Sequence, residues 1–318
     1  MSMKGNARLS SARTLASLLL ISSLAVMGGS TAFAGQILGF GLGTGSGHDG
    51  PIYSIDAVTG NAVVVAPFGG SRVSGASPSS VPGQFFFVCL GCINLHIEDL
   101  FGNFNDFGAL THGWFDLAYD ADTGTLYGVD PTGLYRIDPN YCPPVLFFAC
   151  STTLVAVLPP GIDGIDFVSG AGIYGVSNLD GFLYRIDPHT GTVMAVGPTD
   201  IPTGDGVADL AYDAETGALV ASVLPGVLDK YSLFDFSILQ VVNVPPFGML
   251  YRIDPNTGVA TLLNGHAPVM LGLAENDVPE PSTGVLLLSA IAALSLARRF
   301  SRRGSCVYRF RRQMASSV

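Results

Sequence analysis

The sequence predicts an all-β protein, a β-propeller of about five four-stranded blades that is closed by its C-terminal strand. Three observations carry this prediction: a string that recurs three times, a pair of strand patterns before each copy, and a body in which residues 36–277 show no long amphipathic helix pattern. We expect an N-terminal signal helix before this body and a C-terminal transmembrane helix after it.

The recurring string is LYRIDP, at residues 134–139, 183–188 and 250–255, and a related string, IYSIDAVTG, starts at Ile52. Each copy is followed by a turn and a second β-rich run, for example PHTG and then TVMAVG after the second copy. Asp caps such turns through its side chain and Gly adopts their left-handed position. The string therefore predicts a β-hairpin.

A second pair of strand patterns precedes each copy, as in DLAYDADTGTLYGVD and DLAYDAETGALVASV. The repeating unit thus has four short strands, which we call a, b, c and d, as in a propeller blade. The first unit, from residue 36, has patterns for b, c and d only, whereas MLGLAEN at residues 270–276 resembles a lone strand a. Pairing between the two would close the ring and remove exposed sheet edges.

The segment 71–112 remains after these units are assigned. It is either a degenerate fifth blade or a long insertion, and five blades are favoured. We place the propeller body at residues 35–277.

The first 34 residues have the pattern of a secretory signal peptide. Basic residues precede the 13-residue apolar stretch LASLLLISSLAVM, and small residues follow it. We predict cleavage by signal peptidase after Ala34, with Ala32 and Ala34 as the small recognition residues and Gly35 as the first residue of the mature chain.

Charge is distributed unevenly along the chain. The stretch from Asp49 to Glu280 holds all 25 acidic residues but only five of the 15 basic ones, which gives it a formal charge of −20. A body with this charge repels phosphate backbones, so nucleic acid is excluded as a partner.

Four cysteines lie in the exported body: Cys89, Cys92, Cys142 and Cys150. An even number in an exported protein favours structural disulfides. A metal site and a redox role for the C-x-x-C pair stay open as alternatives. No metal ligand set and no cofactor are predicted, although calcium stays open at the acidic turns 120–124 and 213–217.

Arginine recurs at one position of strand c, as Arg136, Arg185 and Arg252. We expect each to pair with a carboxylate of a neighbouring strand, such as Asp120 or Asp213. The alternative is a ring of arginines that lines the axial channel and binds an anion.

No catalytic motif is present, and no catalytic residue is predicted. The principal hypothesis is a non-enzymatic binding or structural protein. The alternative is a metal-dependent propeller hydrolase or lyase with an axial site, for which Glu275 is the one candidate carboxylate.

The C-terminal region has three parts: VPEPSTG, an apolar span at about 282–297, and a cluster formed by Arg298, Arg299, Arg302 and Arg303. The span is slightly short for a bilayer, and the arginines place the tail 304–318 on the cytoplasmic side. Residues 278–303 resemble a PEP-CTERM sorting signal.

The resemblance implies that a membrane-embedded exosortase recognises Val278, Pro279, Glu280 and Pro281 and removes the anchor. It also implies a bacterium that makes extracellular polysaccharide. We therefore expect export across the inner membrane, anchoring through the C-terminal helix, and then release to the envelope or matrix. Polysaccharide is the expected class of partner, in a role associated with exopolysaccharide or biofilm.

Overall fold

The computed structural model describes residues 36–42, 50–67, 73–89, 94–100, 103–110, 113–138, 150–228, 234–235, 240–241 and 244–276. All of these belong to one compact unit, Gly35–Val278. The predicted signal helix and the predicted transmembrane helix at 282–297 lie outside the described residues. Within the described residues, no helix is long and apolar enough to cross a membrane.

The described residues form strands joined by turns. The strands are β1 (Gln36–Gly41), β2 (Pro51–Ile55), β3 (Ala62–Pro67), β4 (Val73–Pro78), β5 (Gln84–Cys89), β6 (Asn94–Asp99), β7 (Phe104–Ala109), β8 (Asp116–Asp120), β9 (Thr125–Asp130), β10 (Gly133–Asp138), β11 (Ser151–Ala156), β12 (Ile162–Val168), β13 (Gly172–Ser177), β14 (Phe182–Ile186), β15 (Val193–Pro198), β16 (Gly206–Asp213), β17 (Ala218–Leu224), β18 (Phe234–Asp235), β19 (Gln240–Val241), β20 (Gly248–Ile253), β21 (Ala260–Ala267) and β22 (Met270–Asn276).

Five antiparallel four-stranded sheets make up a five-bladed propeller. Blade 1 is β22-β1-β2-β3, blade 2 is β4 to β7, blade 3 is β8 to β11, blade 4 is β12 to β15, and blade 5 is β16-β17-β20-β21. The short hairpin β18-β19 lies between strands b and c of blade 5. The predicted all-β propeller of five four-stranded blades and the assignment of strands a to d are confirmed.

The ring closes where the last strand pairs with the first. Strand β22 runs antiparallel to β1, with Gln36 opposite Asn276 and Gly39 opposite Leu273. Blade 1 therefore takes strand a from the end of the body and strands b, c and d from its start, as predicted.

The segment 71–112 is a full blade. Its strands β4 to β7 form one sheet, with Ala76 opposite Phe87 and Phe87 opposite His96. Its sequence lacks the LYRIDP string, because its third strand, β6, reads NLHIED. Phe85, Phe86 and Phe87 on its second strand, β5, are buried. The alternative of a long insertion is therefore wrong.

Adjacent blades pack through apolar faces. Between blades 4 and 5, for example, Val176 and Leu183 share a buried cluster with Leu210 and Leu219. Burial of one such side chain contributes about 2 kcal/mol. The alternation of apolar residues in strands a, b and c therefore stabilises the contacts between blades.

The turn that follows the recurring string contacts the preceding blade. In blade 4, Asp187 accepts the amides of His189 and Thr190, and Gly191 has a φ of 71°. A Cβ on Gly191 would lie 2.4 Å from the carbonyl oxygen of Val155, on the outer strand of blade 3. Glycine allows both the left-handed backbone and this close approach. The turn of blade 4 therefore packs directly against the outer strand of blade 3.

Candidate functional site

The axis of the propeller is surrounded by the five inner strands, β22, β4, β8, β12 and β16, each of which contacts its two neighbours. At one level, one main-chain amide from each blade meets the carboxylate of either Asp116 or Asp209. Both aspartates are completely buried. In the other three blades, the residue before the amide is glycine: Gly75, Gly164 and Gly272.

Two carboxylates accept all five amides. Asp209 joins its own blade 5 to blade 1 and, across the axis, to blade 2, whereas Asp116 joins blade 3 to blade 4. The bonds are Leu117 N to Asp116 Oδ1 at 2.8 Å, Ile165 N to Asp116 Oδ2 at 2.7 Å, Leu210 N to Asp209 Oδ1 at 2.6 Å, Leu273 N to Asp209 Oδ2 at 2.8 Å and Ala76 N to Asp209 Oδ2 at 3.3 Å.

Gly75 makes room for the carboxylate of Asp116. A Cβ on Gly75 would lie 2.3 Å from Oδ1 of Asp116 and 2.5 Å from its Cα. Any side chain there would collide with the carboxylate that accepts the amides of blades 3 and 4. Two aspartates and three glycines therefore line the axis at this level.

A second carboxylate level lies two residues further along the inner strands. Asp166 accepts the amide of Tyr212 from blade 5, and Ser77 Oγ accepts the amide of Tyr119 at 2.8 Å. Desolvation by burial raises the pKa of Asp166 well above its usual range, and the charges of Glu275 and Asp209 add to this effect.

Glu275, the predicted axial carboxylate, lies on β22 beside this second level. Its Oε1 accepts the amide of Ala214 at 3.2 Å. At both levels the carboxylates bind main-chain amides. Within the described ranges, no group of three or more His, Cys, Asp or Glu side chains is arranged to hold a metal ion.

The recurring arginines lie away from the axis. Arg136, Arg185 and Arg252 are on β10, β14 and β20, the third strands of their blades, so the interpretation that they line the axial channel is wrong. Arg185 donates from Nε to the main-chain carbonyl of Ala171 at 2.6 Å, not to a carboxylate of a neighbouring strand as expected.

Each of these arginines lines a groove. The Arg185 groove has a volume of about 250 Å³ and includes Asp122 and Asp187. The Arg252 groove, of about 560 Å³, includes Asp254. The Arg136 groove, of about 490 Å³, lies between β11 of blade 3 and the turn 188–191 of blade 4.

A fourth groove, of about 330 Å³, lies between blades 4 and 5 and includes Asp180, Asp200 and Asp205. Asn178, in the lining, links the two blades. Its Oδ1 accepts the amide of Val207 from blade 5 at 2.8 Å, and its Nδ2 lies 3.2 Å from Oδ2 of Asp163 in blade 4. The acidic turn that follows β8 is stabilised by its own aspartate. Oδ1 of Asp120 accepts the amides of Asp122 and Thr123.

The predicted processing residues lie outside the described residues. These are Ala32, Ala34 and Gly35 for signal peptidase, Val278, Pro279, Glu280 and Pro281 for sorting, and Arg298, Arg299, Arg302 and Arg303 at the membrane. Cys89 and Cys150 are buried. The other two cysteines, Cys92 and Cys142, lie outside the described residues, so the structural disulfides stay a prediction.

The decisive comparison concerns the region after the ring. Residues 277–303 match the model of the PEP-CTERM protein-sorting motif. The chain carries a PEP-CTERM sorting motif. This motif implies that the protein is exported, anchored and sorted by an exosortase, and it starts at the residue after Asn276, the last residue of β22.

Comparisons of the body give structural likenesses at low identity. No curated protein matches the chain. The chain is similar to a crystal structure of a nidogen/laminin complex, with a TM-score of 0.47, 11% identity, and coverage of 75% of this chain and 97% of that chain.

Two further likenesses are weaker. Hydrazine synthase of Kuenenia stuttgartiensis has a TM-score of 0.39, 11% identity, and coverage of 61% of this chain and 50% of that chain. Virginiamycin B lyase from Staphylococcus aureus has a TM-score of 0.39, 12% identity, and coverage of 74% and 71% respectively.

Proposed function

We propose that the protein is a non-enzymatic binding propeller, which is sorted by exosortase to the cell envelope or extracellular matrix and contacts exopolysaccharide there. Signal peptidase removes residues 1–34, and exosortase acts at the region of Pro279, Glu280 and Pro281. The single observation that carries the proposal is the position of the sorting motif relative to the closing strand.

The ring is complete before the motif begins. Strand β22 ends at Asn276, and the motif starts at residue 277. Removal of everything after the Pro-Glu-Pro sequence leaves all strands of the five described sheets in place. Processing therefore releases a closed ring with no missing strand.

The axis favours a binding role over an axial hydrolase. Metal-dependent catalysis at the axis needs carboxylate oxygens that are available to an ion. The oxygens of Asp116 and Asp209 accept amides from all five blades, and replacing these bonds with a metal ion would leave buried N–H groups without acceptors.

The sorting step is tested by the intact mass of the protein in the extracellular fraction of a host that contains exosortase. We expect a mass that lacks residues 1–34 and everything after the Pro-Glu-Pro sequence. Glu280→Ala should leave the protein in the membrane fraction, whereas Glu215→Ala, at an exposed position of a hairpin turn, should leave processing unchanged. Recovery of Arg303 in the extracellular protein would defeat the proposal.

The binding step is tested with an array of bacterial polysaccharides probed with the released protein, with and without EDTA. We expect retention on at least one polymer in the presence of EDTA, because binding does not need a metal ion. Release of a cleaved sugar product during incubation would support an enzyme instead.

A further inference from the structure

We propose that the groove around Arg136 binds the anionic group, a carboxylate or a sulfate, of an acidic polymer. The assignment rests on the proposed binding role and adds to it a site and a class of ligand. The side chains that argue for it are Arg136, His189, Thr125 and Thr153, all of which line the groove.

The groove is formed by the packing of two blades. Its floor is the outer half of blade 3, where Arg136 on β10 lies opposite Tyr127 on β9 and Thr153 on β11. Its wall is the turn of blade 4 that Gly191 holds against β11. Because this turn contacts the ring through a close backbone approach, the groove is formed before any ligand arrives.

The charge of the lining separates this groove from the other three. Its lining contains an arginine and a histidine and no carboxylate. The other grooves include Asp122, Asp205 or Asp254, among other aspartates. Residues 49–280 have a formal charge of −20 and repel anions in general. The repulsion is weakest at a groove whose lining has no carboxylate.

Asp120 and Asp187 lie outside the lining and accept hydrogen bonds within their own turns, although their charges still act on Tyr127 in the lining. Oδ2 of Asp120 accepts the hydroxyl of Thr123 at 2.6 Å, and Oδ1 of Asp187 accepts the amide of His189 at 2.8 Å. Asp138 lies two residues beyond Arg136 on β10 and outside the groove. These bonds hold the carboxylates of Asp120 and Asp187 in their own turns.

The chemistry of the lining fits an oxyanion. An arginine presents a planar set of donors that matches a carboxylate or sulfate, and the hydroxyls of Thr125 and Thr153 supply further donors beside it. The hydroxyls of Thr123 and Thr190 donate to Asp120 and Asp187 instead. The side chain of Arg136 is exposed, whereas Nε of Arg185 donates to the carbonyl of Ala171. Arg136 is therefore the member of the repeated set that is best placed for an outside anion.

The experiment measures binding of the full chain, expressed with its own export signals and purified in detergent, to three immobilised polymers. Polygalacturonate supplies carboxylates, dextran sulfate supplies sulfates, and dextran is the neutral control. EDTA is present throughout, so that calcium cannot bridge aspartates to the polymer. We expect binding to at least one acidic polymer, weakened by added salt, and no binding to dextran.

Two matched pairs of variants locate the site. Arg136→Gln should weaken binding about tenfold or more, whereas Arg252→Gln should leave it within about twofold. Thr153→Glu, which places a carboxylate opposite Arg136, should also abolish binding, and Thr261→Glu, opposite Arg252, should not. An unchanged thermal unfolding midpoint for Thr153→Glu separates loss of the site from loss of the fold.

The outcomes distinguish this inference from the proposed function. Equal binding of an acidic polymer by wild type, Arg136→Gln and Thr153→Glu overturns the assignment of the groove as the anion site. The proposed role as a binding protein would remain. Binding to dextran alone also overturns the groove and leaves the proposed function. Binding to none of the three polymers overturns the assignment of the groove as an anion site. Only a failure to bind any polymer of the wider polysaccharide array would overturn the proposed binding role.

Discussion

The carboxylate of Asp209 accepts the main-chain amide of Leu273 at 2.8 Å, which joins blade 5 to the strand that closes the ring. The same oxygen accepts the amide of Ala76 from blade 2 at 3.3 Å. One side chain thus connects three blades at the axis. The stability of the ring should therefore depend on this aspartate much more than on aspartates of the surface turns.

Substitution of Asp209 tests this dependence. Asp209→Ala leaves the buried amides of Leu273, Ala76 and Leu210 without their acceptor, and we expect a loss of at least about 3 kcal/mol in the free energy of unfolding. Asp122→Ala, at an exposed turn, should cost less than about 1 kcal/mol. Urea unfolding followed by fluorescence measures both, and equal losses would contradict the axial role.

Substitution of an axial glycine tests the packing around the other carboxylate. Gly75→Ala places a Cβ against Asp116, and we expect a destabilisation of about 2–3 kcal/mol from overpacking. Gly265→Ala is the matched control, because its Cβ would meet only Cδ2 of Leu262 at 3.7 Å. A similar melting temperature for the two variants would show that the axis has spare volume.

The pH dependence of stability tests the environment of Asp166. Burial raises the pKa of this carboxyl in the folded state above its unfolded value of about 4. Its contribution to stability is therefore greatest below about pH 4 and is lost as the pH rises through the folded pKa. The stability of Asp166→Asn relative to wild type should rise as the pH increases from about 4 through the folded pKa.

A surface aspartate provides the control for this pH dependence. The amide of Asn256 lowers the pKa of Asp254, so the stability from Asp254 is present above its unfolded pKa and is lost only as the pH falls through the lower folded value. The difference between Asp254→Asn and wild type should stay flat from pH 5 to pH 8. A flat difference for Asp166→Asn as well would refute a raised pKa in the folded state.

The repeat was sufficient to predict the fold. LYRIDP and DLAYD mark strands whose apolar residues face neighbouring blades, and the missing strand a of the first unit predicted the pairing of β22 with β1. Segment 71–112 could not be assigned from the string, because its strand c, β6, reads NLHIED.

The chemistry of the site was less predictable than the fold. Asp116 and Asp209 had a detectable signal, since both begin a DLAYD string while the equivalent inner strands of the other blades carry glycine. The role of these aspartates depends on contacts between blades that are distant in sequence, as between Asp209 and Ala76. The partner of Arg185 is likewise a carbonyl of the preceding hairpin turn, which no charge pattern indicates.

The most direct test of the central claim is a crystal structure of the exported protein grown with millimolar calcium and manganese, with anomalous diffraction data. The hydrogen bonds at the axis predict carboxylates of Asp116 and Asp209 that bind the five amides, with no anomalous peak between them. A metal ion bound to either carboxylate would contradict the account and favour the alternative of a metal-dependent hydrolase.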